Sequence, residues 1–212
     1  MGKNTGTVFV VDDDASVRQG LTRLLESAGW AVEAFASATE FLAEPRSDAI
    51  GCLLLDVSMP GMTGPELHDQ LRARGCALPV IFLSGRATVA IGVHAMRVGA
   101  YDFLEKPVDD EALLAAIEGA MERYEQVRRR ESHLHEIRQR LTRLSPRERE
   151  VMDQVILGRL NKQIASDLDI GVKTVKVHRG RVMSKMRVHS VAELVHLCDE
   201  LGLVKREAAE TA

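Results

Sequence analysis

Four apolar runs in the first half of the chain are followed directly by side chains that could do chemistry. Asp12 and Asp13 follow TVFVV, Asp56 follows CLLL, Ser84 follows VIFL, and Lys106 follows DFLE. Carboxylates gathered in one place repel each other, and a hard divalent cation such as Mg²⁺ relieves that repulsion. One carboxylate could then attack phosphorus, while the metal and an ammonium group stabilise the transferred oxygens. The pattern predicts a phosphoryl-accepting site in which Lys106 supplies the ammonium group.

These side chains can meet only if the apolar runs are parallel strands of one sheet. Helical patterns separate the runs, including an apolar stripe that ends at Gly29, a segment over 65–74 and another over 88–98. Five such β/α units predict a doubly wound α/β fold with helices on both faces of a parallel sheet. In that fold, ligands bind beyond the carboxyl ends of the strands, which is where the polar residues stand.

Simpler interpretations exist for the acidic residues taken one at a time. Asp14 fits a helix N-cap better than a ligand. Asp12 and Asp13 alone could form a solvated turn, and Asp56 alone could be a loop residue. Their joint occurrence at successive strand ends, together with Ser84 and Lys106, favours the site.

The motifs VVDDD, LLLDVSMPGMTG, FLSG and FLEKP resemble the receiver domain of two-component response regulators, over about residues 5–120. The resemblance implies a five-stranded sheet in the order 2-1-3-4-5. It also implies that Asp56 accepts a phosphoryl group from a sensor histidine kinase. Asp13, Asp56 and the backbone carbonyl of Ser58 would ligate Mg²⁺, with Asp12 acting through a water molecule.

The same resemblance assigns the switching residues. Lys106 would pair with the phosphoryl group, Ser84 would donate its hydroxyl to it, and Phe103 would be the switch aromatic residue. An ordinary core role for Phe103 remains an open alternative. Pro107 could hold the Lys106 loop through a cis peptide bond.

The charge of the chain is divided unevenly. Residues 1–118 have a net charge of −8, whereas residues 143–206 have a net charge of +5. This division favours a cation as ligand of the first part and a polyanion as ligand of the second. No apolar run is long enough to span a membrane, and the three cysteines lack metal-site spacing. We therefore expect a cytoplasmic protein with no membrane partner.

Helix signals dominate the second half. Residues 119–142 favour a helical linker, either a short coiled coil or a solvated single helix. Ser145 and Glu148 form a capping-box pattern, and Asn161 is the predicted cap of a short helix. A tight turn at Gly171 precedes a helix over about 172–186, as in a helix-turn-helix.

Opposite faces of the helix over about 172–186 differ in character. Its predicted core side carries Val172, Val175, Val182 and Met186. The other side carries Lys173, Lys176, Val177 and Gly180 at helical spacing, flanked by Arg179 and Arg181. Such a face suits the major groove of DNA, although a solvated basic face is the alternative.

The stretch from LSPRERE to VMSKM resembles the LuxR-type DNA-binding domain over roughly residues 141–203, so the chain resembles the NarL/FixJ class of transcriptional regulators. The resemblance implies binding to double-stranded DNA as a homodimer when phosphorylated, with RNA polymerase as a further partner. It assigns recognition to Lys173, Thr174, Lys176 and Val177, with His178 and Arg179 near phosphates. Gly171, where a hydroxyl-bearing cap is common, and Gly180 depart from a strong helix pattern.

The expected domains are a receiver at 1–120, the linker at 121–142, the DNA-binding domain at 143–206 and a tail at 207–212. The sequence disfavours two other functions. An aspartyl-nucleophile phosphatase would need a second Asp at position 58, where Ser58 stands. A receiver that only dimerises, without phosphorylation, is disfavoured by the intact acidic set. We therefore expect no enzyme activity beyond the receiver's own phosphorylation and dephosphorylation.

Overall fold

A computed structural model describes residues 6–43, 50–85, 95–97 and 99–204 of the chain. The chain divides into two compact units, Met1–Val127 and Arg128–Ala212. The strands are β1 (Thr7–Val11), β2 (Ala31–Phe35), β3 (Gly51–Asp56), β4 (Val80–Ser84) and β5 (Asp102–Glu105). Among the described residues of the first unit, the helices with defined bounds are α1 (Ala15–Ser27), α2 (Ala38–Ala43), α3 (Gly64–Ala73) and the first part of α4 (Asp110–Thr142). The helix predicted over 88–98 lies mainly outside the described residues, although residues 95–97 are helical.

The five strands form one parallel sheet in the order β2-β1-β3-β4-β5, which confirms the predicted doubly wound fold. Strands β3 and β4 are buried along their whole length because helices cover both faces of the sheet. Val11 lies beside Leu55, and Asp56 lies beside Leu83. This register brings the carboxyl ends of β1, β3 and β4 level with one another.

Two clusters of side chains fill the space on either side of the sheet. Alternate residues of the strands enter each cluster, as the two-residue period of a strand requires. Phe9, Leu55 and Phe82 belong to one cluster. Val10 and Leu83 belong to the other, where Trp30 is also buried. The sheet is therefore held rigidly from both faces, and its edge can serve as a fixed platform for polar groups.

Local hydrogen bonds fix the helix starts on this platform. Asp14 accepts bonds from the backbone N–H groups of Ser16 and Val17, so its predicted N-cap role is confirmed. These backbone bonds lower the pKa of Asp14 below its ordinary value. Thr63 caps α3 reciprocally with Glu66, so the helix starts one residue earlier than the predicted 65.

The second unit contains the last turns of α4 followed by four helices. These are α5 (Pro146–Ile156), α6 (Asn161–Asp167), α7 (Val172–Met186) and α8 (Val191–Glu200). Its core includes Ile137 of α4, which has no exposed surface. A fully solvated helix is therefore excluded for the segment of α4 around Ile137.

Two details of the second unit differ from the sequence predictions. Val172 does not lie in the core, because the first turn of α7 projects beyond it and leaves the side chain 38% exposed. Asn161 is the first helical residue of α6, and the cap position belongs to Leu160. The Asn161 side chain instead accepts a hydrogen bond from Arg179 at 2.6 Å, so it is not available as a cap. No helix within the described residues is long and apolar enough to cross a membrane.

Candidate phosphorylation site and nucleic-acid interface

Lys106 joins two acidic side chains from different strand ends. Its Nζ lies 2.5 Å from Oδ2 of Asp12 and 2.5 Å from Oδ1 of Asp56. Asp12 follows β1 and is 1% exposed, whereas Asp56 ends β3 and is 5% exposed. Two buried carboxylates without a cation would carry a large desolvation cost, so the ammonium group compensates their charge.

Each carboxylate is also oriented by a backbone donor. The N–H group of Asp14 donates to Oδ1 of Asp12 at 2.9 Å, and that of Ser58 donates to Oδ2 of Asp56 at 2.7 Å. The guanidinium group of Arg18 donates to the Asp12 carbonyl at 2.7 Å. The carboxylates are therefore held in fixed orientations. Sequence reasoning missed Arg18, because a contact across six residues at a strand-to-helix junction leaves no periodic signal.

The lysine is charged in spite of its partial burial. Burial works against the ammonium form, but the bonds to Asp12 and Asp56 outweigh it and raise the pKa of Lys106 above its ordinary value. The peptide bond between Lys106 and Pro107 is cis, as the sequence suggested. The backbone N–H of Lys106 donates to the carbonyl of Ser84 at 2.8 Å, which anchors the lysine loop to the end of β4.

The two predicted switching residues lie on adjacent strands of the sheet. Ser84 ends β4 and is 3% exposed. Phe103 is the second residue of β5, pairs with Phe82 across the sheet, and is partly buried against the adjacent core. Both the predicted switch role and the core role are compatible with that position.

The predicted Mg²⁺ ligands differ in their exposure to solvent. Asp13 is exposed, and the described residues contain no group of three or more His, Cys, Asp or Glu side chains arranged around a common metal position. The donor chemistry nevertheless fits Mg²⁺, because the carboxylates of Asp12 and Asp56 converge on a single cation. The ammonium group of Lys106 contacts both carboxylates and offsets one of their two negative charges, so a further cation would still be attracted.

Gly64, the first residue of α3, makes a close approach to the site. A Cβ atom at this position would lie 2.3 Å from the backbone oxygen of Asp56 and 3.2 Å from Cγ of Leu55. The N–H group of Gly64 donates to the carbonyl of Val57 at 3.1 Å. Only glycine therefore allows α3 to start against the backbone of Asp56.

The predicted DNA-reading face of α7 is open to solvent. Lys173, Thr174, Lys176 and Arg181 are exposed, and Val177 is 48% exposed. His178 and Arg179 are half-buried, with Nδ1 of His178 buried and without a hydrogen-bond partner among the described residues. The helix starts at Gly171 without a side-chain cap, as the sequence predicted.

Charged contacts fix α7 within its unit. Lys185 of α7 donates to the carboxylate of Glu148 at 2.6 Å and to the carbonyl of Arg143 at 3.0 Å. Glu148 also completes the capping box with Ser145, as predicted. The Lys185 bond, followed by the Ser145 bond, lowers the pKa of Glu148 to about 2. No local sequence pattern predicts the contact with Lys185, because 37 residues separate the two side chains.

Comparisons with known proteins agree with this architecture. Residues 8–118 match the family described as response regulator receiver domain, and residues 142–198 match the bacterial regulatory proteins of the luxR family. The chain is 41% identical to the transcriptional regulatory protein FixJ of Bradyrhizobium diazoefficiens, over 94% of this chain and 97% of that protein. It is 40% identical to the response regulator protein TodT of Pseudomonas putida, over 95% and 88% respectively.

Solved structures give the same result. The response regulator StyR is 45% identical, with a TM-score of 0.85 over 92% of this chain and 98% of that one. Full-length FixJ from B. japonicum is 40% identical, with a TM-score of 0.59 over 95% and 100%. Receiver and LuxR-type domains in one chain make a phosphorylation-controlled DNA-binding transcription factor, not a classical enzyme. This protein therefore belongs to the NarL/FixJ class of two-component response regulators.

Proposed function

We propose that Asp56 accepts the phosphoryl group, and that a sensor histidine kinase donates it. The observation that carries this proposal is the double contact of Lys106 with Asp56 and Asp12. An oxygen of Asp56 would form the new P–O bond as the P–N bond of the kinase phosphohistidine breaks. Lys106 would then move its ammonium contact from the carboxylate to the phosphoryl oxygens, which carry more negative charge.

Mg²⁺ would be held by Asp13, Asp56 and the carbonyl of Ser58, with Asp12 supporting it through water. When bound, the ion supplies positive charge to the oxygens of the transferred group. The buried carboxylates of Asp12 and Asp56 support this assignment, because each already turns one oxygen toward a cation. Asp13, exposed next to Asp12 in the chain, would complete the set.

The switch would start at the end of β4. Ser84 would donate its hydroxyl to the phosphoryl group, and Phe103 would move into the space that Ser84 leaves. The two residues lie on the adjacent strands β4 and β5, and Phe103 stands level with Phe82, two residues before Ser84. The phosphorylated chain would form a homodimer in the cytoplasm. The dimer would bind promoter DNA there and contact RNA polymerase.

DNA would be read by the exposed face of α7. Lys173, Thr174, Lys176 and Val177 would reach bases, while His178, Arg179 and Arg181 would lie near phosphates. The exposure of both lysines and of Val177 supports these roles, because only side chains that are open to solvent can reach base edges in the major groove. Gly180 leaves open space beside it, which would allow close approach of the DNA backbone.

The kinase would dock beside Lys106. A largely apolar cleft of about 550 Å³ lies there between α1 and the loop after β5. Its walls include Val17, Leu21, Leu24, Pro107 and Val108. An amphipathic helix of the kinase could bury its apolar side in this cleft while presenting phosphohistidine to the adjacent carboxylates.

The test is phosphorylation by acetyl phosphate and MgCl₂, followed by intact mass measurement and a genome-wide DNA-binding profile. We expect one added phosphoryl group on the parent chain and none on the Asp56→Asn variant. The phosphodonor should raise promoter occupancy of the parent but not of the Asp56→Asn variant. Asp69→Asn, at an exposed acid of α3, is the matched control and should behave like the parent. Equal phosphorylation of the Asp56→Asn variant would contradict the assignment.

A further inference from the structure

A second cavity lies at the opposite edge of the receiver sheet. It has a volume of about 380 Å³, within the range of small-molecule sites. Residues 76–79, which precede β4, and residues 99–101, which precede β5, form part of its wall. The phosphorylation site lies instead beyond the carboxyl ends of these strands. At about 3.3 Å per residue, the length of β4 separates the two sites by roughly 15 Å.

The charge of this cavity is opposite to that of its surroundings. The charged residues among the described lining are Arg72 of α3 and Arg123 of α4, and no acidic residue lines it. Residues 1–118 as a whole have a net charge of −8. A concave site with cationic walls in an acidic domain concentrates anions from solution.

The uncharged lining is largely aromatic and apolar. Tyr101 and Tyr124 contribute aromatic rings, and Leu78, Pro79 and Val127 contribute apolar surface. Val127 is 43% exposed, so the rim of the cavity presents apolar surface to solvent. Flat apolar molecules bind well against tyrosine rings, and a guanidinium group adds a charge-assisted bond to an acidic substituent.

His68 adds a buried ring nitrogen that could form a further hydrogen bond. It lines the cavity, is 96% buried, and its Nδ1 has no hydrogen-bond partner among the described residues. Its ring packs edge-on against Phe82, with centroids 5.7 Å apart. Burial, followed by the charge of Arg72, lowers the pKa of His68 and so favours the neutral ring. A buried polar atom without a partner is uncommon and often marks a ligand or water position.

We propose that this cavity binds a small aromatic anion, whose acidic group pairs with Arg72 and Arg123 and whose ring packs against the tyrosines. Arg123, Tyr124 and Val127 lie on α4, the helix that continues along the chain to Ile137 in the core of the second unit. A ligand here would therefore contact the helix shared by both units. This would give the regulator a chemical input that does not use Asp56.

Naphthalene-2-sulfonate is the probe, and naphthalene-2-sulfonamide, of nearly the same shape but uncharged at pH 7, is its control. Isothermal titration of the full chain should show one saturable site for the sulfonate and at least tenfold weaker binding of the sulfonamide. The combined Arg72→Gln and Arg123→Gln variant should lose this tenfold preference. Arg74→Gln changes an exposed arginine just after α3 that does not line the cavity, and should keep it.

Three results would overturn the proposal: no saturable binding of the sulfonate, equal affinity for both compounds, or an unchanged preference in the double variant. Binding in the apolar cleft beside Lys106 would give the third result, because that cleft contains neither arginine. Far-ultraviolet circular dichroism of each variant verifies that the fold is intact. The experiment omits any phosphodonor, so its outcome does not depend on the role of Asp56.

Discussion

The Nζ atom of Lys106 lies 2.5 Å from Oδ1 of Asp56, although 50 residues separate them in the chain. The same atom contacts Asp12, so one ammonium group compensates two carboxylates that are almost completely buried. Such a pair matters for stability chiefly because removing one partner leaves the other as an uncompensated buried charge, which is unfavourable in free energy. This relationship makes the candidate phosphorylation site a structural element as well as a chemical one.

Replacing Lys106 with methionine should destabilise the first unit by about 3 kcal/mol, because two buried carboxylates lose their cation. Urea unfolding without added magnesium measures this loss, with Trp30, the one tryptophan of the chain, as the fluorescent reporter. Added MgCl₂ should stabilise the variant more than the parent, because the lysine no longer competes for the carboxylates. Arg23→Met, at an exposed position of α1, is the control. Equal urea midpoints for Lys106→Met and the parent would contradict the prediction.

Replacing Gly64 with alanine should disturb the end of β3, because the added methyl group overlaps the carbonyl oxygen of Asp56. We expect a loss of about 2 kcal/mol, typical of forced overpacking, together with slower phosphorylation by acetyl phosphate. Gly20 of α1 has open space around it, so Gly20→Ala should stabilise the helix by up to about 1 kcal/mol. If both variants are phosphorylated at the parental rate, the close approach of Gly64 to Asp56 does not affect phosphorylation.

Glu148 should make the second unit sensitive to acid. Its pKa is about 2 in the folded chain against an ordinary 4.5, so the folded state favours the carboxylate. The resulting stability is fully present above pH 4.5 and is lost as the pH falls toward 2. The destabilisation caused by Glu148→Gln should therefore be constant near neutral pH and should shrink between pH 4.5 and 3.

Amide hydrogen exchange in α7, compared between variant and parent at each pH, measures this effect. Glu150→Gln is the matched control, because Glu150 lies on the same helix and forms an exposed pair with Arg147. It should change protection little at any pH. A Glu148→Gln effect that stays the same down to pH 3 would show that the carboxylate charge is not the stabilising feature.

Ile137 should be essential to the second unit, although it precedes the predicted limit of the DNA-binding domain at 143. Truncating this fully buried side chain in Ile137→Ala should cost about 3 kcal/mol. Val127→Ala, at an exposed position of the same helix, should cost little. A fragment that starts at residue 128 should melt cooperatively by circular dichroism, whereas one that starts at 143 should not. Cooperative melting of the shorter fragment would contradict the role of Ile137.

The sequence alone determined the strands and the polar residues that follow them. Buried parallel strands need continuous apolar runs, and helix starts need local caps, so TVFVV, CLLLD, Asp14 and Ser145 carry their signals within a few residues. The order of the strands followed from the resemblance of the motifs to receiver domains. Errors arose where a side chain found a distant partner, as Asn161 did with Arg179, or where a helix end projected past the core, as at Val172.

The tertiary structure alone decided which groups touch. Lys106 contacts Asp12 and Asp56, whereas Asp13 is exposed. Lys185 contacts Glu148 in the second unit. Sheet register and helix packing set these distances, and sequence separation does not predict them. The cavity around Arg72 and Arg123 likewise exists only once α3, α4 and the starts of β4 and β5 are assembled. Periodicity reports what one segment buries, whereas contacts between segments depend on the whole packed chain.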